Sequence, residues 1–586
     1  MFESEQHHIE EKIKSFCAQQ GLPEPNVQWS WIPFSGHWGI STSFFQLAAQ
    51  EARQGKAIGN VGARAQEIAQ ALVAYLGQPE GFARLEAVRG YLNLYFSTHE
   101  YARRVIDAVL EQGEQFGYGS RRGETVMVEF SQPNTHKALH VGHLRTMVLG
   151  DTVSNILDCA GYDVVRANYI GDIGLHVIKW LWNYSKFHAG EEPPEDKFRW
   201  VSELYVEANR HMEEDPGAEA EVRALFARWD RQEPDVVDLW KKSRQWSLDG
   251  FDQVYRLLDI CFNRVYFESE VEEPGKELVA RLIERGIARD ERPDGAVIIP
   301  LDELAGTKDK YRVLVALRSD GTSLYSTKDL ALAIQKNQEY QLARSVYVID
   351  VRQSLYMQQI FKTLELMGFP WADRCYHLAY ELVNLPGNVT LASREGAVVL
   401  LEDLVQEATH RALKIVETKN ADLAPERQLA IAHAVALGAI RYSMLARDNT
   451  KIVTFDWDSA LDFNGQAAPY IQYASVRAGS ILRKANQEIP GSILPDYELS
   501  AVEIELIEWI SRLPKEIQRA AAEYKPLYIA NLAYELARTF NDFYNQCPVL
   551  QAEEPVKQFR VRVVAAARQA IYNCLHVLGM IAPEAM

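Results

Sequence analysis

The chain has 586 residues, of which 47% are hydrophobic and 24% charged, and its formal net charge is −18 at pH 7. That length predicts roughly three or four domains, and that composition excludes a disordered or fibrous protein. The acidic balance argues against non-specific binding to nucleic acid, although a local basic face can operate within an acidic whole.

Three features that would direct the chain to a membrane, a secretory route or a metal are missing from the sequence. Its apolar runs, such as residues 397–401, fall far short of the ~20 residues that a membrane-spanning helix needs. The charged N-terminus lacks the apolar core of a secretory signal. Six cysteines are scattered without a CxxC pair or a His cluster at metal-ligand spacing. We therefore expect a cytoplasmic protein with reduced thiols and no metal site.

The first 118 residues are predicted to form a small α+β domain. Helical patterns run from Phe44 to Leu76 and are broken by QGKAIGN. The segment FARLEAVRGYLNLYF then alternates as two strands around a turn at Arg89-Gly90.

Residues 119–400 carry the pattern of a Rossmann-like α/β domain. The apolar run VMVEF precedes a helical pattern from His140 to about Cys159, and YDVVRANYI follows as a second buried strand. This order predicts the first β-α-β unit of a doubly wound nucleotide-binding fold. VLVALRS and SVYVIDV are predicted strands of its second half. A charged, aromatic and helical insertion is expected at about residues 180–310.

Residues 401–586 show helical patterns almost throughout, among them ERQLAIAHAVALGAIRYSML and VRVVAAARQAIYNCLHVLGM. An all-α bundle is therefore predicted at the C-terminus.

The motif HVGH, with His140, Gly142 and His143, stands at the start of the helix that follows the first predicted strand. Two imidazoles three residues apart share a helical face, and a helix N-terminus offers free amides to anionic phosphates. A glycine there would let a ligand approach the backbone closely. These three residues are predicted to bind ATP and to stabilise developing charge. Two ordinary surface or core histidines are the alternative.

Around that motif, the run VEFSQPNTHKALHVGHLRTMVLGDTVSNILDCAGYDVVRANYIGDIG closely resembles the first signature of the arginyl-tRNA synthetases, whose HIGH motif binds ATP. Further matches follow in order: LWKKSRQWSLDGF, DGTSLYSTKDLALA, RYSMLARDNTKIVTFDWDSALDFNGQAAPYIQYASVRAGSILRKA and VLGMIAPEAM. Together they touch most of the chain from about residue 40 onward.

The resemblance implies an enzyme that ligates L-arginine to its tRNA through an arginyl-adenylate, using ATP with Mg²⁺ and releasing AMP and pyrophosphate. It also implies an N-terminal domain that contacts the tRNA elbow, a class I catalytic domain and a C-terminal anticodon-binding domain. Family members are often monomers and commonly need bound tRNA for the activation step. No DNA or membrane partner is expected.

The same resemblance implies an arginine-binding pocket. A guanidinium carries five donors in a rigid fork, so a selective pocket needs carboxylates and amide oxygens around it. Asp329 is the best candidate for a charge-assisted contact. Alternatively, Glu129 is a strand-end residue that reaches solvent, and Tyr325 and Asp329 are an aromatic and a capping carboxylate at a helix start. The matching positions are Glu129, Asn134, Tyr325, Asp329 and Gln359.

The second ATP signature of class I synthetases is altered. LPGNVTLASREGAVVLLEDL aligns with family sequences of the form KMSSRKG, which places Thr390 at the first lysine and Glu395 at the second. Ser393, Arg394 and Gly396 stand as expected, and the first two are predicted to bind ATP. The loss of a lysine removes a positive charge from a step dominated by electrostatics.

Some family members lack that lysine and compensate with one just before the HIGH motif. Lys137 lies three residues ahead of His140, and we hypothesise that it supplies the missing charge, together with Arg394, as a catalytic residue. A solvated loop lysine is the alternative. Ile173 and His176 also depart from the Trp and Gln that the family usually has.

For tRNA, the resemblance implies that Asn93 and Phe96 contact the D-loop, with Phe96 stacking on a base. A core position for Phe96 is the alternative. Two other functions stay open from sequence: a synthetase for a different amino acid, and a paralogue that binds tRNA or arginine without charging.

Overall fold

The computed structural model of the protein describes residues 2–54, 59–306, 310–385, 389–390, 400–486 and 488–586. Contacts between these residues group the chain into two units. Unit 1 comprises Met1–Phe116, Ala474–Leu513 and Glu535–Asn573, and unit 2 comprises Gly117–Tyr473, Pro514–Tyr534 and Cys574–Met586. The C-terminal helical segment therefore contributes to both units. All six cysteines lie in the described part of the chain and are free thiols in this structure.

The N-terminal part of unit 1 contains a four-stranded antiparallel sheet of order β1-β2-β4-β3. Arg89 and Gly90 both have positive φ, 51° and 86°. A two-residue hairpin turn needs positive φ at both residues to match the twist of the strands on either side. The predicted hairpin is thereby confirmed. The elements are α1 (Glu3–Gln19), β1 (Ser30–Trp31), β2 (Gly39–Ser43), α2 (Phe45–Arg53), α3 (Val61–Leu76), β3 (Phe82–Val88), β4 (Tyr91–Phe96) and α4 (Thr98–Gln112).

Unit 2 begins with the predicted β-α-β unit. Its elements are β5 (Thr125–Glu129), α5 (Val141–Cys159) and β6 (Asp163–Ile170), and the two strands pair in parallel. Helix α5 is buried along nearly its whole length because it packs against the sheet.

Four helices follow and surround a cluster of buried aromatic residues that includes Trp180, Trp182 and Trp246. They are α6 (Leu175–Phe187), α7 (Lys197–Glu214), α8 (Ala218–Asp230) and α9 (Pro234–Leu257). The predicted insertion at 180–310 extends too far, since β7 (Arg264–Phe267) pairs in parallel with β6 as part of the main sheet. A strand of four residues between long helices has too short a pattern to be recognised.

The next segment contains a separate three-stranded antiparallel sheet of order β10-β9-β8. The prediction that VLVALRS belongs to the parallel sheet is wrong, because β10 pairs with β9 and exposes every other residue near its start. One solvent-facing side is typical of antiparallel sheets. The elements are α10 (Glu268–Glu284), β8 (Arg289–Asp290), β9 (Val297–Pro300), α11 (Leu301–Ala305), β10 (Val313–Leu317) and α12 (Tyr325–Tyr340).

The parallel sheet is completed by β11 (Arg344–Asp350) and β12 (Cys375–Tyr380), which flank α13 (Ser354–Leu366). Its order is β12-β11-β5-β6-β7, and every pair is parallel. SVYVIDV is therefore a strand of the nucleotide-binding sheet, as predicted. The α/β architecture inferred from sequence is confirmed.

The remainder is helical, as predicted, apart from a small sheet of order β14-β13-β15. Within the described residues, one helix, Pro425–Leu445, has the length and hydropathy of a membrane span, but 72% of its apolar stretch is buried inside the structure, as in a core helix. The elements are β13 (Val383–Leu385), β14 (Val389–Thr390), α14 (Leu401–Lys419), α15 (Pro425–Leu445), β15 (Val453–Thr454), α16 (Trp457–Ala460), α17 (Ala468–Ala485), α18 (Ala501–Ser511), α19 (Leu513–Glu523), α20 (Leu527–Gln546) and α21 (Val556–Val577).

Candidate functional site

A cavity of about 390 Å³ lies in unit 2, where residues at or just beyond the carboxyl ends of β5, β6, β7 and β11 meet one face of α12. Open parallel sheets bind their ligands at this edge. The volume is in the range of small-molecule sites. Its polar lining consists mainly of carboxylates and tyrosines: Glu129, Glu268, Asp329, Tyr169, Tyr325, Tyr347 and Tyr356.

Glu129 ends β5 and is only 3% exposed, which excludes the alternative of a strand-end residue reaching solvent. One carboxylate oxygen accepts a hydrogen bond from the Gln132 amide at 2.8 Å, and the other accepts from the ammonium of Lys336. Lys336 is 1% exposed and lies 4.7 Å from the centroid of the Tyr347 ring. The carboxylate is thus ion-paired inside the protein.

Helix α12 presents Tyr325, Asp329, Leu332 and Lys336 to the cavity. Their spacing of four, three and four residues places them on one helical face. Leu324 is the N-cap of this helix and no side chain caps it, so Asp329 is not a capping carboxylate.

The Asp329 carboxylate accepts a hydrogen bond from the Tyr356 hydroxyl. Burial, helped by the charges of Glu129 and Glu268, raises the pKa of Asp329 to about 7, although the hydrogen bond from Tyr356 and the charge of Lys336 oppose that rise. In the described part of the chain this carboxylate forms no ion pair. It therefore remains available to a cationic ligand.

Glu268 follows β7 directly and was not anticipated from sequence. It is 4% exposed, and its carboxylate lies 2.8 Å from the ammonium of Lys328. Burial raises the pKa of Glu268, while Lys328 opposes that shift. The cavity thus contains three carboxylates, two of which have a lysine partner.

Asn134 lies in the cavity lining and forms a backbone bridge with Gly171. A Cβ atom at Gly171 would lie 2.3 Å from the Asn134 side-chain oxygen. A larger residue at position 171 would therefore displace this amide from its place in the cavity lining.

Gln359 is the one predicted arginine-binding residue outside the cavity lining. Its amide donates to the backbone carbonyls of Tyr311 at 2.7 Å and Val313 at 3.3 Å, so it holds a loop rather than a ligand. Gln353, six residues earlier, lies in the lining instead. Of these two glutamines, the cavity lining therefore includes Gln353 and not Gln359.

The loop between β5 and α5 carries unusual backbone strain. Ser131, Gln132 and His136 have φ of 77°, 51° and 65°, a region that non-glycine residues rarely adopt. Strain of this kind concentrates at functional sites and persists only where the surroundings impose it.

Helix α9 provides part of that support. The Tyr255 hydroxyl lies 2.9 Å from Ser131 Oγ, the Ser247 hydroxyl accepts from the His136 amide at 3.0 Å, and the His136 ring lies 2.9 Å from Ser243 Oγ. These supporting residues were missed because their partners lie more than 100 residues away, where sequence patterns give no signal.

His140 is the N-cap of α5, and Nδ1 of its ring accepts from the Gly142 amide at 3.0 Å. Nδ1 of His143 accepts from the His140 amide at 3.2 Å. Burial lowers the pKa of both imidazoles, that of His143 to about 3. Both rings are therefore neutral at pH 7 and carry their proton on Nε2, which makes each an uncharged donor. Neither histidine lies in the lining of the 390 Å³ cavity.

The second ATP signature falls partly outside the described residues. Ser393 and Arg394, both predicted to bind ATP, lie in that part, as do Glu395 and Gly396. The described chain resumes at Leu400, which forms an antiparallel bridge with His140. Leu400 therefore lies next to the first signature.

Lys137 is partly buried, and its ammonium lies 5.6 Å from the centroid of the Tyr205 ring. Burial lowers its pKa, and the charge of Lys179 lowers it further while Glu268 opposes the shift. Ile173 is buried, and burial together with the charge of Lys137 lowers the pKa of His176 to about 3. Lys137 is thus not a freely solvated loop residue.

In unit 1, the predicted tRNA contacts separate onto two faces of one sheet. Phe96 is 2% exposed and stacks on Phe2 and Phe82 at centroid distances of 4.0 and 5.0 Å. The prediction that Phe96 stacks on a base is wrong, because its ring faces the core. Asn93 lies on the opposite face, where its side-chain oxygen accepts from Ser41 Oγ at 2.7 Å.

Tyr95 shares the outer face with Asn93, two residues apart on β4. The guanidinium of Arg84 lies 4.2 Å from the centroid of the Tyr95 ring. The strict alternation of Leu92, Leu94 and Phe96 was a signal that could have assigned these faces from sequence.

No group of three or more His, Cys, Asp or Glu side chains that could hold a metal ion occurs among the residues that the structure describes.

Known protein families and solved structures match the chain over most of its length. A family model described as tRNA synthetases class I (R), catalytic domain, matches residues 105–457, and one described as DALR anticodon binding domain matches residues 471–586. The arginine–tRNA ligase of Treponema denticola is 34% identical over 506 residues, covering 84% of this chain and 85% of that protein.

A second relative, the arginine–tRNA ligase of Bdellovibrio bacteriovorus, is 34% identical over 527 residues, covering 88% of this chain and 89% of that protein. The solved structure of Thermus thermophilus arginyl-tRNA synthetase has a TM-score of 0.78 and 28% identity, covering 99% of this chain and all of that one.

Proposed function

The chain belongs to the class I arginyl-tRNA synthetases, and on that premise we propose that the carboxylate-lined cavity of unit 2 binds the arginine side chain. The enzyme joins arginine to tRNA at the expense of ATP, by way of an adenylate. The proposal concerns which residues carry each part of that reaction.

One observation carries the assignment of the cavity. Glu129 is paired with Lys336 and Glu268 with Lys328, whereas the only side chain that donates to Asp329 among the described residues is Tyr356. The site therefore has one buried negative charge without a cation, and a guanidinium supplies one positive charge with several donors. Glu129, Asn134 and Tyr325 line the same space, with Gln353 in place of Gln359.

Asp329→Asn tests the assignment because it removes the charge and keeps the shape. We expect the KM for arginine in tRNA charging to rise between about tenfold and 150-fold, since hydrogen bonds to charged groups contribute about 1.5–3 kcal/mol. The KM for ATP should change less than about twofold. Glu273→Gln, an exposed carboxylate of α10, is the matched control. An unchanged arginine KM in Asp329→Asn would refute the assignment.

The ATP phosphates are proposed to bind over the start of α5, where His140 and His143 offer neutral Nε2 donors and Gly142 leaves the backbone accessible. Free amides of the first turn and the helix dipole favour an anion at this place. Ser393 and Arg394 are proposed to act from the second signature, and Mg²⁺ to accompany the nucleotide.

Lys137 is proposed to replace the positive charge that the second signature lacks. Its position three residues before His140 and its partial burial support this role. Lys137→Ala should lower the rate of arginine-dependent pyrophosphate exchange, measured with tRNA present, by about tenfold or more. Lys137→Arg keeps the charge and should retain most of that rate. A change of less than about twofold in the alanine variant would refute the role.

For tRNA, we propose that the outer face of the β4 hairpin, with Asn93, Tyr95 and Arg84, meets an unstacked loop base. Tyr95 is partly exposed, and an aromatic ring beside a guanidinium is a common arrangement for single-stranded RNA. The helical segment 401–586 is proposed to bind the anticodon, 119–400 to form the catalytic domain and 1–118 to contact the elbow. A cytoplasmic monomer completes the proposal.

A further inference from the structure

Tyr169, near the end of β6, holds a hydroxyl whose environment is unusual. The residue lines the cavity, and its hydroxyl oxygen is buried, yet it forms no hydrogen bond with any of the described residues. By contrast, the side-chain amide of its neighbour Asn168 donates a hydrogen bond to the Tyr255 hydroxyl at 2.9 Å. Most buried hydroxyls in proteins have a partner, so this one points to a ligand.

The charges around this hydroxyl define the ligand. Burial, followed by the carboxylates of Asp329, Glu268 and Glu129, raises the pKa of Tyr169 well above its usual range. The hydroxyl therefore stays protonated and can accept a hydrogen bond through its lone pairs. All three carboxylates also repel an anion, which excludes a phosphate or a carboxyl group as its partner.

Asp329 and Tyr169 together suit a planar cation better than a point charge. A guanidinium has N–H groups on three nitrogens, and a carboxylate accepts at most two of them in a bidentate pair. The remaining N–H groups need other acceptors in a buried site. An ammonium with three donors would not require a further acceptor in the same plane.

We propose that Tyr169 is a specificity-determining residue whose hydroxyl accepts an N–H of the guanidinium of arginine while Asp329, oriented by Tyr356, accepts others. This inference rests on the proposed arginine site. It assigns a role to a tyrosine that the sequence alone presents as an ordinary strand residue.

Tyr169→Phe tests the inference because it removes only the hydroxyl. We expect the KM for arginine to rise between about tenfold and a hundredfold, with the KM for ATP within about twofold of that of the parent enzyme. The Tm without arginine should stay the same or rise, because no hydrogen bond within the protein is lost. The rise in Tm that arginine produces should shrink.

The matched control is Tyr266→Phe. Tyr266 is the cross-strand neighbour of Tyr169 on β7, and its hydroxyl donates to Glu339 at 2.8 Å outside the cavity lining. This variant should lower the Tm and leave the arginine KM within about twofold.

The outcomes separate the inference from the assignment of the site. If Asp329→Asn loses arginine binding and Tyr169→Phe keeps the parental arginine KM, the proposed role of Tyr169 is refuted and the assignment of the arginine site stands. If both variants keep the parental arginine KM, the assignment of the site is refuted as well. A lowered Tm with unchanged arginine KM in Tyr169→Phe would assign the hydroxyl a structural role and overturn the inference.

Discussion

The cavity of unit 2 and the outer sheet face of unit 1 use the same residue types in opposite surroundings. In the cavity, the side chains of Lys336 and Glu129 are 1% and 4% exposed. On the sheet face, Arg84 and Glu86 also pair, at 3.2 Å, but their side chains are 50% and 38% exposed. Buried pairs are costly to break, whereas exposed pairs contribute little. The first region suits a fixed small ligand and the second an adaptable RNA surface.

The largest expected effect comes from breaking the buried pair. Lys336→Met leaves Glu129 with an uncompensated charge inside the protein, which typically costs about 3–5 kcal/mol. We expect a clear fall in the midpoint of thermal unfolding. Glu129→Gln in the Lys336→Met background should recover much of the loss, because no unpaired charge remains.

The control for this prediction is Lys276→Met. Lys276 pairs with Glu273, and the two side chains are 33% and 77% exposed, so the change should be worth less than about 1 kcal/mol. If the Lys336 and Lys276 variants lowered the midpoint of thermal unfolding equally, the buried pair would be no more important for stability than an exposed one, which would contradict the comparison.

A smaller effect is expected from pH in the cavity. Because the pKa of Asp329 is about 7 in the unliganded protein and arginine binds the ionised form, arginine affinity should fall about tenfold between pH 8 and pH 6. Calorimetry at pH 7 in buffers of different ionisation enthalpy should detect proton release on binding.

The same shift affects stability with a defined sign. The folded-state pKa of Asp329 lies above the usual 3.8, so its contribution is full below about pH 4 and is lost as pH rises through about 7. The Asp329→Asn variant should therefore be relatively more stable at pH 8 than at pH 5, compared with the parent. A pH-independent arginine affinity in the parent protein would contradict this account.

On the sheet face we expect smaller, salt-sensitive effects. Tyr95→Ala should raise the KM for tRNA by about fivefold, the lower end of the cost of losing a base-stacking partner, without changing the arginine KM. Tyr75→Ala, an exposed tyrosine of α3, serves as the control. If both variants charge tRNA with the parental KM, the sheet face is not an RNA contact.

The smallest effect is predicted for Arg84→Ala. Its ion pair is exposed, so the thermal midpoint should hardly change, and the tRNA KM should rise only about twofold to fivefold. That rise should diminish as salt increases, because screening weakens exposed charges. A loss of stability comparable to that of Lys336→Met would show that the face is structural.

Local patterns predicted the parts of the fold whose signals lie within a few residues. The hairpin at Arg89-Gly90 and the strand–helix–strand unit around His140 were both found in this way. The short strand β7 and the antiparallel β10 were not, because a strand's partner is set by distant residues rather than by its own sequence.

The same limit applies to the site. The resemblance predicted Asp329, Glu129, Asn134 and Tyr325 as arginine-binding residues, and all four line one cavity. Lys336 was missed, although it follows Asp329 by seven residues on the same helical face. Tyr169 looks like any strand aromatic from sequence, and only its unbonded hydroxyl distinguishes it.

The central claim is that the arginine side chain enters the cavity and meets Asp329. A crystal structure of the enzyme with arginine tests it most directly. We expect the guanidinium to lie within hydrogen-bond distance of the Asp329 carboxylate and the Tyr169 hydroxyl, with the Glu129–Lys336 ion pair intact. Arginine bound elsewhere while the cavity stays empty would contradict it.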